Sequence, residues 1–243
     1  MDFKSQVTGA AGLAGVAADA LLVLVASGAV PEGLDAPLAE LLGAAAKDGD
    51  FAFKPAQTLY AYRVAGVKAS RVVFAHAGDG TNKPLRQAVA AGLALLKGSG
   101  AARLAVTLAG GAAWTAAQAE TLAGAVAEAT YLYRATKPSA AAPSKLVLGT
   151  VFCTKDEVAA VTAGLKRGSA IAAGTALARE CANRPANVCT PTYLAEQAKL
   201  LGKAHGLKVE VLERKDCEKL GMGAFLCVAQ GSDEPLKFIV ARW

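Results

Sequence analysis

Two apolar runs of strand length, Arg71–Ala77 and Arg103–Leu108, each close on glycines (Gly78-Asp79-Gly80 and Gly110-Gly111), and each is followed by a segment with helical spacing. A strand, a glycine turn and a helix in succession, twice over, bring the chain back to the same edge of a sheet. That is the pattern of parallel strands joined by crossover helices. The helices are Lys83–Lys97, with Leu85, Val89, Leu93 and Leu96 on one stripe, and Thr115–Arg134. Leu21–Ser27 is a further apolar run that suits a strand buried on both faces, and Lys145–Phe152 reads as one more strand. Thr58–Val67 alternates and suits a half-exposed strand, while Ala36–Ala46 carries Leu38, Leu41 and Leu42 at helical spacing. The expected fold class is α/β, a mixed sheet flanked by helices.

Composition agrees. Of 243 residues, 53% are hydrophobic but only 6% aromatic, so Ala, Val and Leu must build the core and intrinsic disorder is excluded. The longest apolar stretch, Leu21–Val30, falls well short of the roughly 20 residues that span a bilayer. Asp19 precedes it and no basic segment lies close by, which argues against a signal peptide. A cytoplasmic protein without membrane contact is expected. The net charge of +6 is spread over scattered Lys and Arg residues, which suits a solvated basic surface better than a nucleic-acid stripe. Five cysteines, Cys153, Cys181, Cys189, Cys217 and Cys227, show no C-x-x-C spacing and read as free thiols.

Beyond Cys153 the character changes. Thr154 and Glu157 have capping-box spacing, the threonine placed to take the Glu157 amide and the glutamate to reach back. No proline interrupts the chain from there to Ala182, which predicts one helix of about 28 residues, roughly 42 Å long. Gly164, Gly168 and Gly174 each weaken it by about 1 kcal/mol relative to Ala, so close packing is expected there. Asn183–Cys189 reads as a loop. Thr190 and Pro191 are an N-cap and first-turn proline opening a helix through Lys203. Leu207–Leu212 and Lys237–Arg242 read as strands, with a short helix at Lys215–Leu220.

Candidate chemistry is sparse. Gly78-Asp79-Gly80-Thr81-Asn82 opens a helix whose free amides favour an anion, but the glycine spacing fits no phosphate-binding motif and Asp79 would repel one. Gly110-Gly111 lies at the next crossover, and the crevice between such turns is a place where α/β sheets bind small molecules. His76 ends a strand with no ligating neighbour in sequence and is expected to be a satisfied structural residue. His205, before Gly206, complements a helix C-terminus. Cys181 and Cys189 flank the loop without a basic partner at recognisable spacing and read as small core or rim residues. No catalytic or metal-ligating constellation emerges from the spacing.

Two segments nevertheless carry a resemblance. Asn183-Arg184-Pro185-Ala186-Asn187-Val188-Cys189-Thr190-Pro191-Thr192-Tyr193-Leu194-Ala195 is similar to the opening of the catalytic domain in the leucine aminopeptidase (M17, cytosol aminopeptidase) family. Leu220-Gly221-Met222-Gly223-Ala224-Phe225-Leu226-Cys227-Val228-Ala229-Gln230-Gly231-Ser232 resembles that family's second landmark, and Asp233-Glu234-Pro235 with the Phe238–Val240 strand continues in register. The resemblance implies an N-terminal macro-like α/β domain at 1–153, a connecting helix at 154–182, and the beginning of a catalytic domain at 183–243. It also implies a hexamer that removes N-terminal residues from peptides with two divalent metals, Mn or Zn.

The family's metal ligands come from motifs resembling G-K-G-x-x-F-D-[ST]-G-G and N-T-D-A-E-G-R-L, and neither is present in this sequence. Lys237 does not substitute, because it begins a strand and lacks the downstream F-D. No catalytic or metal residue is therefore assigned in this chain, no bound metal is expected, and the chain alone is expected to be inactive. Its expected role is assembly and access to an active site completed elsewhere. Two alternatives stay open: a macro-like module that binds a nucleotide or ADP-ribose, and DNA binding, which some bacterial family members show. Residues 183–243 make roughly 60 residues of α/β pattern, which buries proportionally little surface. Their last strand leaves an apolar edge, so this part is expected to pack against further C-terminal chain or another copy.

Overall fold

Every residue of β2 (Ala20–Val25) is buried, because this apolar strand lies inside a six-stranded sheet with neighbours on both sides. In the computed structural model, which describes residues 1–111 and 113–243, its neighbours are β4 (Arg71–His76) and β5 (Arg103–Ala109), both parallel to it. The full order is β1-β6-β5-β2-β4-β3, with β1 at Asp2–Val7, β3 at Thr58–Tyr62 and β6 at Leu148–Cys153. Only β3 is antiparallel to its neighbour, and β1 closes the far edge by pairing parallel with β6, Asp2 opposite Leu148 and Val7 opposite Cys153. The mixed sheet expected from the sequence is what forms. The strand expected over Thr58–Val67 stops at Tyr62, where Arg63 takes a left-handed backbone (φ 56°) and turns the chain. β1, which no sequence pattern announced, supplies the sixth strand.

Successive residues of the buried strands feed two cores. Leu22, Leu24, Val73 and Ala75 face α2 (Asn82–Leu96), α3 (Ala116–Thr130) and the first part of α4 (Val158–Ala182). Leu21, Val23, Val72 and Phe74 face the opposite way, onto Leu38 and Leu42 of α1 (Ala36–Lys47) and onto Phe51. Helices on both faces of a mostly parallel sheet make the three-layer arrangement predicted by the glycine-turn pattern.

The long helix has two causes and one surprise. Glu157 does reach back to the Thr154 amide, at 2.7 Å, but Thr154 gives its hydroxyl to the same carboxylate at 2.8 Å. The Glu157 amide goes instead to the Thr154 carbonyl, so Lys155–Glu157 is a 3-10 turn and α4 proper begins at Val158. Gly164 and Gly168 face α3 so closely that a Cβ would stand 2.1 Å from the Ala116 carbonyl oxygen and 2.5 Å from that of Glu120. Gly174 has no such neighbour; the close packing expected there does not occur.

The chain divides into two compact units, Met1–Leu132 with Ala141–Ala176, and Tyr133–Ala140 with Leu177–Trp243. In the second, α5 (Pro191–His205) is capped by Thr190, whose hydroxyl accepts the Tyr193 amide, and ends on Gly206 in the left-handed region (φ 73°). Gly202 lies against Val209 of β7 (Lys208–Leu212), where a Cβ would come within 2.7 Å of the valine methyl. β7 pairs antiparallel with β8 (Phe238–Arg242), Leu212 opposite Phe238. Between them lie α6 (Arg214–Lys219) and α7 (Gly223–Val228), the latter absent from the sequence reading. No helix among the described residues is long and apolar enough to cross a membrane.

Candidate functional site

The carboxyl ends of the parallel strands in the first unit form the place where an α/β sheet would hold a ligand. A cleft of about 290 Å³ lies there, between the ends of β5 and β6, the Thr8 segment and the α1 approach. Among the described residues, its walls carry three carboxylates, Glu32, Asp35 and Glu157, and no Lys, Arg or His. Two of the three are already engaged. Asp35 accepts the Ala14 amide, and Glu157 accepts the Trp114 amide at 2.6 Å as well as Thr154. Burial works against the Glu157 charge, yet these hydrogen bonds, from Thr154 above all, hold its carboxyl below the ordinary glutamate value.

The two glycine turns at this edge are explained by backbone geometry. Gly110 has φ 75°, and a Cβ there would strike the Ser27 hydroxyl at 2.4 Å; one on Gly111 would meet Ala26 at 2.9 Å. At the other turn the anion position is filled from within. The Asp79 carboxylate accepts both the amide and the hydroxyl of Thr81, at 3.0 and 2.7 Å, in front of α2. The hydroxyl first, then the amide, holds its pKa below the ordinary value, so the charge that would repel a phosphate is stable. Gln118 on α3 donates to the Gly80 carbonyl at 2.7 Å and fixes the turn further.

His76 is buried at the end of β4 with its ring edge toward Phe53, 6.1 Å between centroids. Its Nδ1 is buried with no hydrogen-bond partner from the protein, which departs from the satisfied structural histidine expected. Trp114 Nε1 is likewise buried without a partner. His205 sits in the last turn of α5 as expected. Cys153 is buried beside Glu157, and burial, then that carboxylate, pushes its thiol up, which disfavours the thiolate.

In the second unit the loop 183–189 shows what sequence spacing could not. Arg184 lies 5.1 Å above the Tyr193 ring and 3.5 Å from Glu180, and its charge acts on Cys181. Cys181 therefore does have a basic neighbour, three residues along, contrary to the sequence reading. Lys237 is held by Glu213 at 2.6 and 2.8 Å, an ion pair between the approach to β8 and the start of α6. Among the described residues, no group of three or more His, Cys, Asp or Glu side chains could hold a metal ion.

Comparison with known proteins supplies the rest. Residues 17–139 match the cytosol aminopeptidase family N-terminal domain, and residues 176–243 match the catalytic domain of the same family. A probable cytosol aminopeptidase of Methylibium petroleiphilum is 54% identical over all 243 residues, which cover 50% of its own length. The cytosol aminopeptidase of Pseudomonas aeruginosa is 40% identical over 89% of this chain and 45% of its own. Among solved structures, a tomato leucine aminopeptidase variant superposes with a TM-score of 0.77 at 25% identity, over 98% of this chain and 50% of that one. The bottromycin maturation enzyme BotP, solved in complex with Mn, shares the fold with a TM-score of 0.72 at 24% identity, over 93% of this chain and 45% of that one. The chain thus spans about half the length of the relatives it matches. Two matched domains in the family's order and more than half of all residues identical to one relative leave one assignment: the chain belongs to the cytosol aminopeptidase (M17) family.

Proposed function

We propose that residues 1–243 form the N-terminal part of an aminopeptidase that removes N-terminal residues from peptides. In this reading 1–153 is the accessory domain, 154–182 the connecting helix, and 183–243 the first elements of the catalytic domain. The observation that carries it is the pair of family matches in one chain, N-terminal domain before catalytic domain. Two divalent metals, Mn or Zn, would polarise the scissile carbonyl and activate a water when bound. The side chains that hold them belong to motifs outside these residues, so this chain contributes assembly, as part of a homo-hexamer, and the approach to the active site. Asp79 at the start of α2 speaks against the nucleotide or ADP-ribose reading, since its carboxylate already takes the Thr81 amide and hydroxyl and would repel a phosphate there.

Hydrolysis of leucine p-nitroanilide with added Mn²⁺ tests the proposal. Residues 1–243 alone are expected to be inactive. Co-expression with a C-terminal segment carrying the two metal-ligand motifs is expected to give a co-purifying, active complex. Turnover by residues 1–243 alone, abolished by a chelator, would overturn the division of labour; a complex that forms without activity would overturn the peptidase reading.

A further inference from the structure

The second face of the six-stranded sheet is covered unevenly. Over β2 and β4 it meets α1, through Leu21, Val23, Val72 and Phe74; over β1, β6 and β5 it meets the turn segment 9–18. Beneath those turns lies a cleft of about 320 Å³, near the lower end of the range for small-molecule sites. The turns are tied down on both sides. The Ala14 amide goes to Asp35, the Ala14 carbonyl accepts the Lys68 amide at 2.8 Å, and the Thr8 amide reaches the Cys153 carbonyl at 3.0 Å. The cleft is therefore preformed.

Strand alternation decides which side chains enter it. Phe3 packs on the first core and the Ser5 hydroxyl meets that of Thr162 on α4 at 2.7 Å, so Lys4 and Gln6 of β1 turn the other way, into the cleft. In β6, Val151 and Cys153 belong to the first core, which leaves Leu148, Thr150 and Phe152 as the floor. Thr150 lies beside Lys4 on one side and Ala105 on the other, and Arg103 of β5 stands opposite Leu148. β1 and β5 thus set the two cations on opposite sides of β6, about 10 Å apart across the sheet. Among the described residues, the lining contains no Asp, Glu or His, the reverse of the carboxylate-walled cleft at the strand ends. Arg103 is steadied by Asp19 at 3.2 Å, but that carboxylate is shared with the Arg103 and Ala102 amides, while Lys4 makes no ion pair among the described residues. Thr150 is only 8% exposed, and its hydroxyl has no partner in the protein. A buried hydroxyl so placed calls for a hydrogen-bonding group from outside the chain.

We propose that this cleft binds a small organic dianion of the dicarboxylate class, at a site that lies wholly in the first unit and is independent of the peptidase reading. One carboxylate pairs with the Lys4 ammonium and the other with the Arg103 guanidinium. The Thr150 hydroxyl and the Gln6 amide hydrogen-bond the ligand between them, and Leu148 and Phe152 receive its methylene chain. Two cations set apart on either side of β6 match two singly charged groups. A single phosphate is best held by donors converging on one point, which this arrangement does not offer.

Isothermal titration of the full chain with glutarate tests this directly. Saturable binding at one site is expected, weakening as salt rises because both contacts join charges near the surface. Acetate and inorganic phosphate, each a single anionic group, are expected to bind about tenfold more weakly or worse. K4Q removes a charge from an exposed position and should weaken glutarate binding about tenfold. T150V keeps the shape of the floor, loses the hydroxyl, and should weaken binding severalfold. K47Q, at the end of α1, should leave it unchanged. Absence of saturable binding at millimolar glutarate, or binding that K4Q does not weaken, would overturn the proposal. So would phosphate or acetate binding as tightly as glutarate, which would reduce the cleft to a site for a single anion. The comparison of the three anions needs only the wild-type chain and decides the matter even where a variant fails to fold.

Discussion

Glu157 is the residue with the most consequences in the first unit. One carboxylate caps the turn before α4 and, from 43 residues away, holds the Trp114 amide beside the glycine turn after β5. Replacing it with alanine leaves two amides without an acceptor, one of them part-buried, and is expected to destabilise the chain by about 1–3 kcal/mol. Because its folded-state pKa is lowered, the stability it contributes is present above the ordinary glutamate value and is lost as pH falls through the lowered one. The gap in urea midpoint between wild type and E157A should therefore narrow on acidification; a gap independent of pH would show that the carboxylate charge is not what matters. Asp19 follows the same logic. Its carboxylate takes the amides of Arg103 and Ala102 and pairs with the Arg103 guanidinium at 3.2 Å, and the Arg103 amide does most to lower its pKa. D19A should lose about 1–3 kcal/mol at neutral pH in the same measurement.

Among the elements, α4 offers the sharpest contrast. G164A pushes a methyl into the α3 backbone at Ala116 and is expected to lower stability by about 1–3 kcal/mol. G174A meets open space and should raise it by about 1 kcal/mol, the ordinary helix preference for alanine. Opposite signs in chemical denaturation check the packing; equal shifts would deny it. The elements that the sequence announced are those whose residues are buried on both faces, such as β2, β4 and β5, where an unbroken apolar run has no other use. β1 escaped notice because an edge strand with alternating exposure can be written in Asp2, Lys4, Ser5 and Gln6. α7 escaped because it has no side-chain cap and no buried residue. The site was readable where it depends on neighbours in sequence, as at Asp79 and Thr81. It was unreadable where tertiary structure pairs distant residues, as Glu157 with Trp114, or where a loop folds Arg184 back on Cys181.

For the whole molecule, the second unit carries strongly exposed apolar side chains, Leu220 and Val228, within the segment that resembles the family's second landmark. Such surface is typically covered by another polypeptide. Residues 1–243 alone are expected to bind a hydrophobic dye and to self-associate in size-exclusion chromatography with light scattering. Both effects should diminish on co-expression with the C-terminal segment, and a monodisperse, dye-silent monomer would count against that cover. The first unit has a different vulnerability, set by the pairing of β1 with β6. The strand synthesised first can find its partner only after Cys153 has left the ribosome, so nascent β1 waits while the whole of its sheet is translated. Its polar composition is what lets an unpaired strand wait without recruiting the wrong neighbour.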